Sequence, residues 1–296
     1  MQAKSQSAME YLMTYGWAIL IIAVVLAVLF QLGVFSGGNF LPHAQAGSCQ
    51  VSRTVAGTSL EGQCNGMLPQ YVAQFNGASS YISIANVIGL GQISNGGGNK
   101  VTITGWALTS ITPTSQANIL HVGGLSECTI TDNNLEIMVQ SGMAAYTILQ
   151  CSNDGMGGSV ILSTEQWVFY ATTFDGSSNL GYIGAGGKLN TGTTTSGITN
   201  VILPSSPPLS IGQSGPFDTA WTGDIANIQV YNTTLSQPEI QALYLEGIGG
   251  APIRPQNVVG WWPLNGNAND YSGSGNNGQL NSVTFSSSWE GSYTAP

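Results

Sequence analysis

The chain has 296 residues, 42% hydrophobic but only 6% charged, with a net charge of −9 from 14 acidic and 5 basic residues. So small a charged fraction, against roughly 25% in ordinary globular proteins, together with so many hydrophobic residues, excludes a disordered polyelectrolyte. Five basic residues leave no positive surface for nucleic acid. The first element is apolar. From Met9 to Phe35 the run is broken only by Glu10, Thr14, Gln31 and small residues. As a helix it would extend roughly 40 Å, enough to span a bilayer. Ser36-Gly37-Gly38-Asn39 ends it as a breaker. A conventional secretory signal has a shorter apolar stretch and a small-residue cleavage site on its far side. Here the unusual residues lie on the near side, AKS followed by QSAME.

That arrangement resembles the class III signal peptides of archaeal type IV pilins. In that family a short basic leader precedes the hydrophobic segment, and a prepilin peptidase cuts between the two. Lys4 and Ser5 match the residues before the cut, which implies a leader of residues 1–5 and a mature chain beginning at Gln6. Glu10 would then be the fifth mature residue, where type IV pilins recurrently carry glutamate. The resemblance covers about 30 residues. It implies that residues 6–38 form a helix inserted in the membrane before assembly and packed against copies of itself afterwards. Physical chemistry agrees in one respect, since an apolar helix left attached to the mature protein must be covered by lipid or by other helices. Glu10 would be neutralised by the freed amine of a neighbouring subunit, or would sit in the headgroup region at the helix N-terminus. Gly16 and Gly33 permit close backbone approach, and Tyr11, Tyr15 and Trp17 suit an aromatic belt or the spaces between packed helices.

Residues 39–66 read as a linker and contain Cys49 and Cys64; Cys128 and Cys151 follow in the body of the chain. Four cysteines allow three pairings. With no CxxC pair and only two histidines, His43 and His121, a zinc site is disfavoured. In an exported chain disulfides are expected, and we favour Cys49–Cys64 with Cys128–Cys151.

From Met67 onward short alternating runs take over. Residues 71–84, 101–110, 135–142, 145–151, 167–174, 209–212 and 224–232 read as strands separated by Gly, Asn, Ser and Pro clusters. One helix is expected at 236–247, with a Ser236/Glu239 capping box, Pro238 in its first turn and Gly247 as its stop. Many short strands of this kind predict a mainly β protein, a jelly-roll sandwich at 67–296 preceded by one long hydrophobic helix. FNG followed by SYISI (75–84), TITGW (102–106), WVFYATTFDG (167–176) and WTGDIANIQVYNTTLSQPEIQALY (221–244) resemble the concanavalin A-like, laminin-G-like jelly roll. VVGWWPLNGNANDYSGSGNNGQLNSVTF (258–285) looks like that family's opening strand and loop, yet it comes last. It closes its own sandwich as a circular permutation, donates a strand to a neighbour, or begins a truncated repeat; closure in cis is favoured.

The resemblance implies sugar binding, often with calcium, and in some relatives glycan hydrolysis. The glycanase branch carries a Glu-x-Asp-x-x-Glu strand, which is absent here, and no close carboxylate pair stands in for it. The protein is therefore not expected to be an enzyme. Asp270, Asn276 and Asn277, joined by Asp224 or Asp175, offer oxygen ligands to calcium, although Asn, Asp and Gly in such a loop are more often turn chemistry. Trp261 and Trp262 offer stacking surfaces, but alternation sends at least one into the core. Asn232-Thr233-Thr234 is an N-glycosylation sequon. The reading is a structural subunit of an archaeal type IV pilus-like extracellular filament, used in adhesion. It assembles with copies of itself through the helix and meets surface glycans through the sandwich. The alternative is a monomeric, membrane-anchored carbohydrate-binding adhesin.

Overall fold

The computed structural model describes residues 4–31, 43–44, 68–91, 93–94, 100–112, 117–123, 135–140, 144–149, 157–161, 164–192, 195–196, 202–203, 205–213 and 219–296. The chain divides into two units, residues 1–41 and 42–296. All four cysteines, the breaker at 36–39 and nearly all of the 39–66 linker lie outside the described residues.

The first unit contains one helix, α1 (Lys4–Gln31). Its side chains are described from Tyr15 to Val28, and every one of them is exposed, including Tyr15, Trp17, Ile19, Leu20, Ile21 and Ile22 at 54–66%. Apolar residues occupy all sides of the helix, so no polar face exists for it to turn toward water. Among the described residues no helix is long and apolar enough to cross a membrane, since 15–28 falls short of the ~20 residues a span requires.

The second unit is a sandwich of two mostly antiparallel sheets. Its strands of three or more residues are β1 (Val72–Asn76), β2 (Tyr81–Ile84), β3 (Val101–Thr109), β4 (Ala117–Val122) and β5 (Leu135–Gln140). Next come β6 (Ala144–Leu149), β7 (Gly157–Ile161), β8 (Val168–Phe174), β9 (Ser178–Ala185) and β10 (Lys188–Thr191). The chain continues with β11 (Leu209–Ile211), β12 (Thr222–Tyr231), β13 (Val258–Trp262), β14 (Gln279–Asn281) and β15 (Thr284–Ser286). Among the described residues an eight-stranded sheet runs β7-β6-β5-β4-β11-β2-β14, with Thr219–Ala220 added beside β4. A nine-stranded sheet runs β10-β9-β8-β3-β12-β1-β15, with β13 also paired to β12 and Thr195–Ser196 to β9.

The inner faces meet in one core that includes Phe75, Ile82, Ile103, Leu120, Ile137, Phe174, Trp221, Ile225, Val230 and Trp262. Each fully buried aliphatic or aromatic side chain contributes about 1.5–3 kcal/mol to holding the sheets together. The segment 258–286 takes part in this sandwich within the same chain. β13 lies against β12 with Trp262 opposite Ile228, β14 against β2 with Gln279 opposite Ser83, and β15 against β1 with Thr284 opposite Gln74.

The expected helix is α2 (Gln237–Leu245). Ser236 donates both its backbone N–H and its Oγ–H to Glu239 Oε2, at 2.8 and 2.7 Å, closing the first turn. Gly247 stops the helix at φ 78°, and Tyr293 approaches so closely that a Cβ there would collide with its hydroxyl. Helix α2 packs on the outer face of the nine-stranded sheet. Trp106 stacks on Tyr244 at 5.9 Å, Phe169 tilts against Tyr244 at 5.7 Å, and Tyr293 meets the edge of Trp106 at 5.7 Å. Gly184 on β9 makes room for the Tyr244 ring, which a Cβ would strike. That face is therefore covered, and the outer face of the eight-stranded sheet is where a recess is found.

Candidate functional site

Alternation along β2, β11 and β4 sends Ile82, Ile84, Leu209, Ile211, Leu120 and Val122 to the core. The residues between them point outward. Strand register then lines up a polar row across the sheet. Gln279 stands opposite Ser83, Ser83 opposite Ser210, Ser210 opposite His121, and His121 opposite Glu136. One end of the row opens into a groove of about 440 Å³ lined by Tyr81, Ser83, Ser210, Asn277 and Gln279, with Ile84, Pro208 and Leu209 among its apolar residues. That volume falls within the ~300–1,000 Å³ typical of small-molecule sites. No Asp, Glu, Lys or Arg lines it. The other end of the row is a buried pair, with His121 Nε2 at 3.5 Å from Glu136 Oε1. His121 and Glu136 are only 1% and 7% exposed, which places the pair beneath the surface, beyond the groove lining.

Within the groove, Asn277 Oδ1 accepts the Asp270 backbone N–H at 2.9 Å, which fixes the amide and leaves Nδ2 without a hydrogen bond among the described residues. The Gln279 amide, the Tyr81 hydroxyl and Ser210 Oγ likewise make none among the described residues. Ser83 Oγ accepts a long bond from Asn281 Nδ2 at 3.5 Å. The recess thus offers neutral donors and acceptors beside aliphatic surface.

The loop proposed for calcium has a structural task. Asp270 Oδ1 accepts the N–H groups of Trp261 (3.0 Å) and Ser272 (2.8 Å), while Oδ2 accepts Ser272 Oγ–H (2.9 Å) and the Asn276 N–H (2.8 Å). Asn276 ties the loop to its neighbours. Its Oδ1 takes the Ile88 N–H at 2.8 Å, and its Nδ2 donates to the carbonyls of Ile88 and Val259 at 3.0 and 2.7 Å. Asp175 instead closes its own turn after β8 by accepting from Ser177 and Ser178. Among the described residues no group of three or more His, Cys, Asp and Glu is placed to hold a metal ion.

Asp224 lies on β12, opposite Gln74 of β1 and Leu108 of β3. It is 9% exposed, and its Oδ1 has no hydrogen-bond partner among the described residues. Burial pushes its carboxyl up to about 6, against a smaller opposing effect of a hydrogen bond with Gln74. Of Trp261 and Trp262 at least one was expected in the core, and both are buried. Trp261 Nε1 donates to Asn227 Oδ1 and Trp262 Nε1 to the Asn276 carbonyl, each at 2.8 Å, so neither ring is available to a sugar. Asn232 is half-buried, with Nδ2 donating to the Gly89 carbonyl at 3.3 Å and Oδ1 accepting from Asn257 Nδ2 at 3.0 Å. Lys4, Ser5, Gln6 and Glu10 fall on the backbone of α1, with side chains outside the described residues, whereas Gly16 and Trp17 are exposed on it.

Sequence reading missed Ser83, Ser210 and Gln279. They are neutral residues at outward-pointing positions of three strands distant in sequence, and only the register assembles them.

A family model described as the concanavalin A-like lectin/glucanases superfamily, of laminin G type, matches residues 76–241, more than half of the chain. No curated protein is matched. The native heptameric SAP-like pentraxin of Limulus polyphemus is similar in structure, with a TM-score of 0.50 and 14% identity over 73% of this chain and 94% of its own. Domain 4 of the arabinanase AbnA from Geobacillus stearothermophilus, solved with arabinotriose, has a TM-score of 0.46 and 15% identity, covering 58% and 75% of the two chains. Domains LG4-5 of the mouse laminin alpha1 chain have a TM-score of 0.37 and 10% identity, covering 60% and 44%. At 14% identity the likeness to the pentraxin is one of fold alone.

Proposed function

The chain belongs to the concanavalin A-like lectin/glucanases superfamily, and from that premise we propose that it is a surface adhesin whose sandwich is carried on a pilin-like helix. One observation supports this most. Every described side chain of α1 from Tyr15 to Val28 is exposed, and apolar residues occupy all sides of the helix. Such a surface requires a cover, from lipid before assembly and from copies of the same helix afterwards. Contacts of that head-to-tail kind generate open filaments. In the assembled form the helices make the core, and the nearly uncharged sandwiches make the outer layer that meets surface glycans. A prepilin peptidase cutting after Ser5 exposes the amine of Gln6, and that amine pairs with Glu10 of a neighbouring subunit.

The leader supplies the test. Mass spectrometry of protein sheared from the surface of the native cells should give Gln6, as glutamine or pyroglutamate, at the N-terminus. An intact Met1 on that material would overturn the filament reading in favour of a monomeric adhesin anchored by the same helix.

A further inference from the structure

Two buried groups on the outer face of the nine-stranded sheet lack the partner each requires. Asp224 Oδ1 accepts no hydrogen bond and Trp289 Nε1 donates none among the described residues, although these residues are only 9% and 2% exposed. Such groups are costly under a cover and cheap in water. The same piece of chain covers both. Strand β15 is the edge of this sheet, and β1, β12 and β3 stand between it and β8. At a strand spacing of ~4.8 Å that separation is roughly 19 Å. The chain leaves β15 at Ser286, opposite Val72, and already at Trp289 its indole meets the ring of Trp167, the residue before β8, at 5.9 Å. Ser287 and Ser288 therefore cross β1, β12 and β3 directly, above Asp224 and its cross-strand neighbour Leu108. The crossing is lightly fastened. Both serines are exposed. Trp167 donates Nε1–H to the Trp289 carbonyl and its backbone N–H to the Ser292 carbonyl, each at a long 3.4 Å. Tyr293 sets its ring against the edge of Trp106, and its hydroxyl accepts the Ile248 N–H at 3.1 Å.

We propose that residues 287–293 form a strap that closes over Asp224 when its carboxyl is protonated and lifts when it is charged. Such a device works alike in a filament subunit and in an anchored monomer. Under the closed strap, burial pushes the carboxyl up from 3.8 to about 6, against a smaller opposing effect of the Gln74 hydrogen bond. Lifting the strap returns the group to water, so the closed form binds the proton more tightly. Closure is therefore favoured below about pH 4 and is lost as the pH rises through about 6. The surrounding groups do not reverse that sign. Strand β1 presents Gln74, β3 presents Leu108, and Thr222 and Ala226 flank Asp224 on β12. The charged residues next to these elements are Glu165, whose N–H bonds the Thr109 carbonyl, and Glu290 on the strap, both acidic. Tyr293 stays neutral, its hydroxyl pushed up to about 12 by burial. Helix α2 lies beyond Trp106, with Glu246 and a Glu239 already paired to Arg254. Lifting gives Trp289 Nε1 water as its acceptor and uncovers the rings of Trp106 and Trp167, an opening far smaller than global unfolding.

Hydrogen exchange on the full chain in detergent follows the strap directly. It is read by mass spectrometry at pH 4, 5, 6 and 7 and corrected for the intrinsic pH dependence of amide exchange. Protection of residues 287–293 should fall about 10-fold or more between pH 4 and pH 7, the ceiling for a shift of this size being roughly 100-fold. Peptides from β3 and β12 should keep their protection. Asp224→Asn should hold the strap at its acid protection throughout, whereas Glu165→Gln and Glu290→Gln should leave the original profile in place. Strap protection that does not change with pH overturns the proposal. So does protection that falls in step with β3 and β12, because the whole sandwich is then unfolding. A pH dependence that survives Asp224→Asn, or that disappears in Glu165→Gln or Glu290→Gln, assigns the proton to another group and overturns it too.

Discussion

Residues 15–28 and the sandwich use the same apolar alphabet for opposite ends. In α1, Ile19, Leu20, Ile21 and Ile22 are more than half exposed, whereas Ile82, Ile103, Ile211 and Ile225 in the sandwich are wholly buried. A strand gives its hydrophobic residues one face, and a second sheet covers that face. A helix apolar on every side has no such partner within itself. The sandwich is thus complete as a folded object, while α1 is complete only with something around it. The sandwich also repeats the contrast in miniature. Its nine-stranded sheet hides its outer face under α2 and Tyr293, and its eight-stranded sheet leaves a recess.

Four changes sharpen or break this contrast, taken from the largest effect to the smallest. Trp262 is fully buried and comes from the C-terminal segment. Trp262→Ala should cost about 3–5 kcal/mol in denaturant unfolding, because the cavity lies where both sheets meet. A loss near zero would mean that the segment does not close this core. Asp270→Ala should cost about 2–4 kcal/mol, since the N–H groups it receives from Trp261, Ser272 and Asn276 lose their acceptor. That loss should be the same with and without calcium. A calcium-dependent loss would give the loop a metal-binding role.

Asp224 works in the other direction. Its folded carboxyl titrates near 6, above its ordinary 3.8, so the folded state binds the proton more readily. Stability should fall as the pH rises from about 4 to about 6, with the full penalty present at neutral pH. Asp224→Asn should remove that slope and raise the melting temperature at pH 7 by roughly 2–5 °C, measured by thermal unfolding at pH 4, 5, 6 and 7. An unchanged pH profile would mean that this carboxyl is solvated. The smallest effect is expected from the largest deletion. Removing residues 1–41 should leave a soluble monomer melting within about 2 °C of the full chain in detergent, because the sandwich core does not need the helix. A fragment that fails to unfold cooperatively would break the comparison at its root.

How far the sequence was readable follows the same division. Runs such as VTITGWALT and the DIANIQV stretch declared β3 and β12 by alternating apolar with polar or small residues, a local signal, although both strands are buried along nearly their whole length. The capping box and Gly247 declared α2 for the same reason. Strands β4, β7, β9 and β10 escaped notice; in β4, for instance, the alternation is interrupted where the register shifts between Asn118 and Leu120. The site was legible in part. Asp270 and Asn276 stand out by composition, and what composition does not show is that their hydrogen bonds tie the loop together. Ser83, Ser210 and Gln279 carry no local signal, and only long-range pairing brings them into one row. Both tryptophans of the GWW run were candidates for stacking, yet one packs between the sheets and the other beneath Asn227. Register and layer order decided these outcomes, and neither is written in a single strand.

Immunogold electron microscopy of material sheared from native cells, with antibody raised against the sandwich, decides between filament and anchored monomer. A subunit assembled through its helix should give thin filaments labelled regularly along their length, with the sandwich outermost and the helix inside. Label confined to membrane fragments, with no filament carrying it, would leave an anchored monomer in place of a filament subunit.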